Sequence, residues 1–237
     1  MTTQFPQGPA ALARRSFLRV AGASAATVGL VLAGCGKDNT PTATNPNALL
    51  LGKDDPGVLN YLYLQKQLAA AFYQKVSDAA PSDFSASEKA FFTDLRDHEL
   101  THREALRNAL GTGAYDTSLA TPLVFDFSTL ALTTRTGVLA AAQQFEDLSV
   151  AAYAGALPLL TTTSTVALLA KIASVEARHS AFVRDLRTPG SFAGDDVVIS
   201  ADSLQSVSVA KTPAQVVADT KAYFLPIVIS TDSLPTA

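Results

Sequence analysis

Apolar residues recur at helical spacing in four long stretches of this chain, separated by turn signals. From Val58 to about Val76, Leu64, Leu68 and Phe72 share one stripe, while Leu59, Leu62, Lys66, Ala69 and Tyr73 form a second with a lysine in its middle. Ser85-Ala86-Ser87-Glu88 is a capping-box pattern, in which the serine hydroxyl and the glutamate satisfy free backbone N–H groups. It opens a second helix that runs to Leu110 and stops at Gly111, where glycine permits a left-handed end. A third helix is expected over roughly Thr134 to Leu160, and a fourth over roughly Thr165 to Leu186, closed by Pro189-Gly190. Thr212 as cap and Pro213 at the first helical position predict one more short helix. The tail from Pro226 has little pattern, and no extensive sheet is expected, although Asp196-Val197-Val198-Ile199-Ser200 reads as a short strand.

The connections between helices then set the topology. The first-to-second and third-to-fourth links are short and make antiparallel hairpins, whereas Gly111 to about Thr133 can cross the length of a bundle at about 3.3 Å per extended residue. The expected fold is all-α: a four-helix bundle over residues 57–190 with one long crossover between helices 2 and 3. Residues 191–237 form a C-terminal extension that carries the short helix and packs on the bundle.

Composition supports one globular domain, with 48% hydrophobic and only 16% charged residues among 237. The formal charge is −3, but Arg14, Arg15 and Arg19 fall in a leader that contains no acid. Removing those three of 18 basic residues leaves 15 against 21 acidic ones, a net of −6, which excludes the basic patch of a nucleic-acid surface. The arginine pair precedes an apolar run from Val20 to Gly34 that is too short for a stable span of about 20 residues, and it reads as a twin-arginine export signal over 1–34. Leu32-Ala33-Gly34-Cys35 resembles a lipobox, with Cys35 as the lipidated residue and membrane anchor, followed by a flexible tether to residue 56. These features predict a protein of the cell envelope, periplasmic or membrane-anchored. Cys35 is the single cysteine, so disulfides within the chain and multi-thiolate zinc sites are excluded.

The chemistry concentrates in Asp97-His98-Glu99-Leu100-Thr101-His102-Arg103. It contains His-Glu-x-x-His, a zinc metalloprotease signature in which His98 and His102 would share the ion and Glu99 would act on its water. It also contains Glu99-x-x-His102, half of a carboxylate-bridged di-metal site. Glu176-x-x-His179 repeats that spacing on the fourth helix, and Glu146 stands alone on the third. At 1.5 Å per residue the three glutamates fall at a similar height, about 15 to 20 Å from the bundle end, and each i,i+3 pair points to one face. Arg103 and Glu104 directly after the motif disfavour a protease, and that reading leaves Glu146 and the second pair unexplained. Tyr73 and Tyr153 read as core aromatics able to support a ligand, His98 as an interface-edge residue, and Arg178, Arg184 and Arg187 as a solvated or ion-paired face.

These residues, with Leu59-Asn60-Tyr61, Phe72-Tyr73, Phe145-Glu146-Asp147, Ala152-Tyr153-Ala154-Gly155-Ala156 and Val175-Glu176-Ala177-Arg178-His179, give the chain its resemblance to a family. It resembles the ferritin-like domain proteins that include bacterial export-signal members and plant desiccation-related proteins. The resemblance implies a di-iron or di-manganese centre, held here by Glu99, His102, Glu146, Glu176 and His179, and oxidative or stress-related redox chemistry. It also implies a glutamate on the first helix seven residues before Tyr73, where this chain has Lys66. Four glutamates and two neutral histidines balance two divalent ions, whereas three glutamates with an ammonium leave an excess of +2, expensive to bury. The expectations are therefore a degenerate di-metal site, a single-metal site, or a metal-free structural or stress-protective lipoprotein neutralised by Lys66. A homo-oligomer stays open, but a ferritin shell is not implied, since an anchor and an added C-terminal segment complicate its packing.

Overall fold

The computed structural model describes residues 48–119, 121–201 and 204–236. The signal segment with Arg14 and Arg15, the lipidation site Cys35 and residues 35–47 of the expected tether lie outside the described residues. Four long helices build the bundle: α1 (Asp54–Asp78), α2 (Ala86–Leu110), α3 (Arg135–Ala156) and α4 (Thr163–Arg187). Asp54 and Asp55 place carboxylates in the first turn of α1, where they oppose the positive end of the helix dipole. Helix α2 starts at the Ser85–Glu88 capping box and ends at Gly111, whose φ of 56° is open to a residue without Cβ. Thr134 caps α3 by accepting from the Gly137 N–H.

Helix α1 packs mainly on α2 and α3 mainly on α4, with α1 against α3 joining the two hairpins. The crossover between α2 and α3 packs along α1, where Phe72, Phe127, Phe145 and Tyr223 meet tilted or edge-on with ring centroids 4.6 to 6.2 Å apart. Tyr223 belongs to the C-terminal extension, so this aromatic group ties helix, crossover and extension into one core.

The extension carries the strands β2 (Val198–Ala201) and β3 (Leu204–Ser208), the helix α5 (Pro213–Thr220) and the strand β4 (Val228–Ser230). Strand β2 confirms the short strand expected near residue 198, and β3, which pairs with it antiparallel, is an addition. Helix α5 has the expected Thr212 cap and Pro213 start. Two expectations need correction. Residues 48–50 are not tether but a strand, β1 (Ala48–Leu50), parallel to β4 with Ala48 opposite Val228 and Leu50 opposite Ser230. The patternless tail from Pro226 supplies that partner. Such a three-residue pair, more than 170 positions apart in sequence, leaves no local periodicity to read. Close contact also fixes the extension at Gly155, where a Cβ would meet the Lys211 carbonyl oxygen at 2.0 Å, while the Lys211 N–H donates to the Ala151 carbonyl at 3.0 Å.

Candidate metal centre

Each long helix contributes to one buried polar cluster at mid-height of the bundle. Glu99 and His102, one turn apart on α2, face Glu176 and His179 on α4, and Glu146 enters from α3. Lys66 and Tyr73, two turns apart on α1, complete the ring, and all seven residues are at most 9% exposed. A ligand atom from each of Glu99, Glu146, Glu176 and His179 lies within 4.8 Å of the others.

The carboxylates divide their oxygens in a regular way. The Lys66 ammonium donates to Glu99 Oε2 at 2.7 Å and to Glu176 Oε2. Ser149 donates to Glu176 Oε2 at 2.6 Å, and Tyr73 donates to Glu146 Oε1 at 2.5 Å. The second oxygen of each carboxylate has no hydrogen-bond partner: Glu99 Oε1, Glu146 Oε2 and Glu176 Oε1 are all buried and bare among the described residues. Nδ1 of His102 and Nδ1 of His179 are bare in the same way. They face the same oxygens, His179 Nδ1 at 3.7 Å from both Glu99 Oε1 and Glu146 Oε2, and His102 Nδ1 at 2.7 Å from Glu176 Oε1 without hydrogen-bond alignment.

Electrostatics follow from burial and neighbours. Burial works against a charge on Lys66, but Glu176 and Glu99 outweigh it and keep the ammonium protonated. Burial likewise opposes the Glu176 carboxylate, and Lys66 with His102 hold it well below the usual carboxylate range. Burial, with Glu99 and Glu176 beside it, pushes Glu146 up against the opposing effect of His179. Burial, then Glu146, push the Tyr73 phenol well above its ordinary value, so it remains a donor. His179 is opposed by burial yet raised to about 10 by Glu146 and Glu99.

A family model for the ferritin-like domain matches residues 54–189, more than half of the chain and all four long helices. The chain belongs to the ferritin-like domain family. No curated protein matches it. In this ferritin-like chain the first-helix position holds an ammonium already bonded to two carboxylates, so the donors fit one ion rather than two. With both histidines neutral, as metal ligation requires, three carboxylates against Lys66 leave two negative charges, which a single divalent cation would balance; a second cation would have to displace the ammonium or carry its charge into the core uncompensated.

The structure gathers all five expected ligands and Lys66 in one place, and it gives the supporting residues distinct parts. Tyr73 bonds Glu146, whereas the Tyr153 hydroxyl has no partner and its ring lies 5.7 Å from Lys66 Nζ. His98 is more than an interface-edge residue: its Nδ1 lies 2.9 Å from His179 Nε2. Burial, then His179 and His102, lower its pKa, so neutral His98 accepts from the His179 Nε2–H and turns Nδ1 of His179 toward the cluster. That use of His98 leaves the protease arrangement unassembled, because His98 is bonded to His179 and is not among the donors that converge in the cluster. Of the two alternatives expected for Arg184, solvated or ion-paired, the second holds: it is buried and pairs with Asp147 at 2.6 Å and Asp196 at 2.5 Å, fastening the extension to α3 and α4. Ser149 escaped the sequence reading, though its place three residues after Glu146 puts it on the same helix face.

Proposed function

We propose that this protein binds one divalent metal ion, iron or manganese, in a ferritin-like site where Lys66 permanently takes over the charge of a second ion. The observation that carries this reading is the division of the carboxylates: one oxygen of each is held by the protein, while the other three oxygens and two imidazole nitrogens are bare and convergent. Leaving five buried polar atoms unsatisfied is costly, at about 1–3 kcal/mol each, and a cation bound by the three oxygens and the deprotonated imidazole nitrogens relieves them together. Glu99, Glu146, Glu176, His102 and His179 would hold the ion, with oxygen and nitrogen donors and no thiolate, a set suited to iron or manganese. Such an ion would supply one-electron redox chemistry with oxygen or peroxide, in keeping with an oxidative or stress-related role. The chain's own residues orient the donors: Lys66 and Ser149 fix Glu176, Tyr73 fixes Glu146, and His98 fixes His179.

The test is Lys66→Glu. Restoring the fourth carboxylate is expected to raise binding from one ion per chain to two; binding that stays at the wild-type level would place Lys66 outside the metal's electrostatics. A metal-free, stress-protective bundle is the second reading, and one observation favours it: with Lys66 paired and His179 raised to about 10, protons supply much of the charge that a metal would.

The reading extends to location. Arg14-Arg15 before a short apolar run, and Cys35 at the end of a lipobox-like sequence, support export by the twin-arginine route and attachment of the bundle to a membrane in the cell envelope. Cys35→Ser is expected to move the protein from the membrane fraction to the soluble one; an unchanged membrane fraction would count against the anchor.

A further inference from the structure

Between α1 and α3 lies a second, smaller feature, a cavity of about 20 Å³ lined by Gln65, Ala69, Phe145, Leu148, Ser149 and Ala152. That is room for one water-sized guest. Ala69 and Ala152 create the space by lacking side chains beyond Cβ, and five of the six lining residues keep between 6% and 9% of their surface exposed, while Ala152 keeps 1%. The cavity thus lies close beneath the surface at the α1–α3 seam, with Ala152 its most buried lining residue.

Two polar groups line it. Gln65 is only 8% exposed, and its Nε2 has no acceptor in reach among the described residues. The Ser149 hydroxyl already donates to Glu176 Oε2, so it has only lone pairs left to offer. A guest that accepts from Gln65 and donates to Ser149 satisfies both, and water has both capacities at the required size. Larger hydroxylic molecules do not fit the space.

We propose that this cavity is a solvent port: it binds a single water between Gln65 and Ser149, and Ser149 links that water to Glu176 of the carboxylate cluster. The proposal rests on the metal-site reading for what the port serves, not for its existence. Gln65 is then a water-holding residue, and Ala69 sets the width of the entrance.

The test uses the full-length chain. In the metal-free protein, cross-relaxation from water to the Gln65 side-chain amide, assigned through its disappearance in Gln65→Leu, is expected in wild type and lost in Ala69→Val, which fills the cavity. No such signal in wild type, or the same signal in Ala69→Val, overturns the water site. In a second arm Mn(II) is added and water-proton relaxation is measured per bound ion. Ala69→Val, or Gln65→Leu if the valine variant does not fold, is expected to lose relaxation enhancement with unchanged Mn(II) binding. Equal enhancement in blocked and wild-type chains means that water arrives elsewhere, for example past His98, and overturns the port while the metal site stands. Absence of Mn(II) binding in wild type, with the Gln65 signal present, contradicts the metal reading and supports the water site on its own.

Discussion

A single lysine decides what this site can be. Lys66 occupies a stripe of α1 that is otherwise apolar, and its ammonium survives there because Glu99 and Glu176 meet it in the core. Around it, orientation depends on residues that are not ligands. Removing the acceptor for His179 in His98→Ala is expected to weaken Mn(II) binding about 10- to 100-fold, with His98→Asn recovering part of the loss, because supporting partners of metal-binding histidines carry effects of that size. Mn(II) titration of the variants checks this, and equal affinity in His98→Ala would show that His179 orients itself. The cluster residues were legible because i,i+3 spacing is a property of one helix: Glu99 with His102 and Glu176 with His179 announce themselves in the sequence. Ser149 and Gln65 did not, since a serine or glutamine on a helix is ordinary until the neighbouring helix is in place to give it, or deny it, a partner.

At the scale of elements, the hairpins and the crossover followed from helix periodicity, caps and link lengths. What holds one hairpin to the other is less local. Asp55 in the first turn of α1 accepts from the Thr161 N–H at 2.9 Å and the Thr162 N–H at 2.8 Å, which locks α1 to the turn between α3 and α4. Burial works against that carboxylate, but the hydrogen bonds from Thr161 and Thr162 outweigh it and its pKa falls below the ordinary 3.8. A carboxyl lowered in the folded state adds stability above its unfolded pKa and loses it as pH falls through the folded value. Asp55→Asn is therefore expected to destabilise the protein at neutral pH and to flatten the decline in stability below about pH 4. Denaturant unfolding across that range checks it; parallel pH profiles in variant and wild type would remove Asp55 from the account. The β1–β4 pair was hidden for the reason that Asp55 was: its meaning lies in a partner far along the chain.

The whole molecule is a ferritin-like bundle with a C-terminal extension fastened to its α3–α4 side. Gly155 lets the Lys211 backbone approach, Arg184 pairs with Asp196, and Tyr223 enters the aromatic core. That architecture leaves the polar cluster buried within the bundle, with His98 on the α2–α4 side and the Gln65–Ser149 cavity on the α1–α3 side. On the proposed reading charge sets how many ions it takes, since with neutral histidines the two negative charges left by three glutamates and Lys66 match one divalent cation. The most direct measurement is the number of ions bound per chain when the full-length protein, purified without chelator, is titrated with Fe(II) or Mn(II) under nitrogen. One ion per chain, lost in Glu176→Ala, is the result this account predicts; two ions per chain, or none in a protein that remains folded, would contradict it.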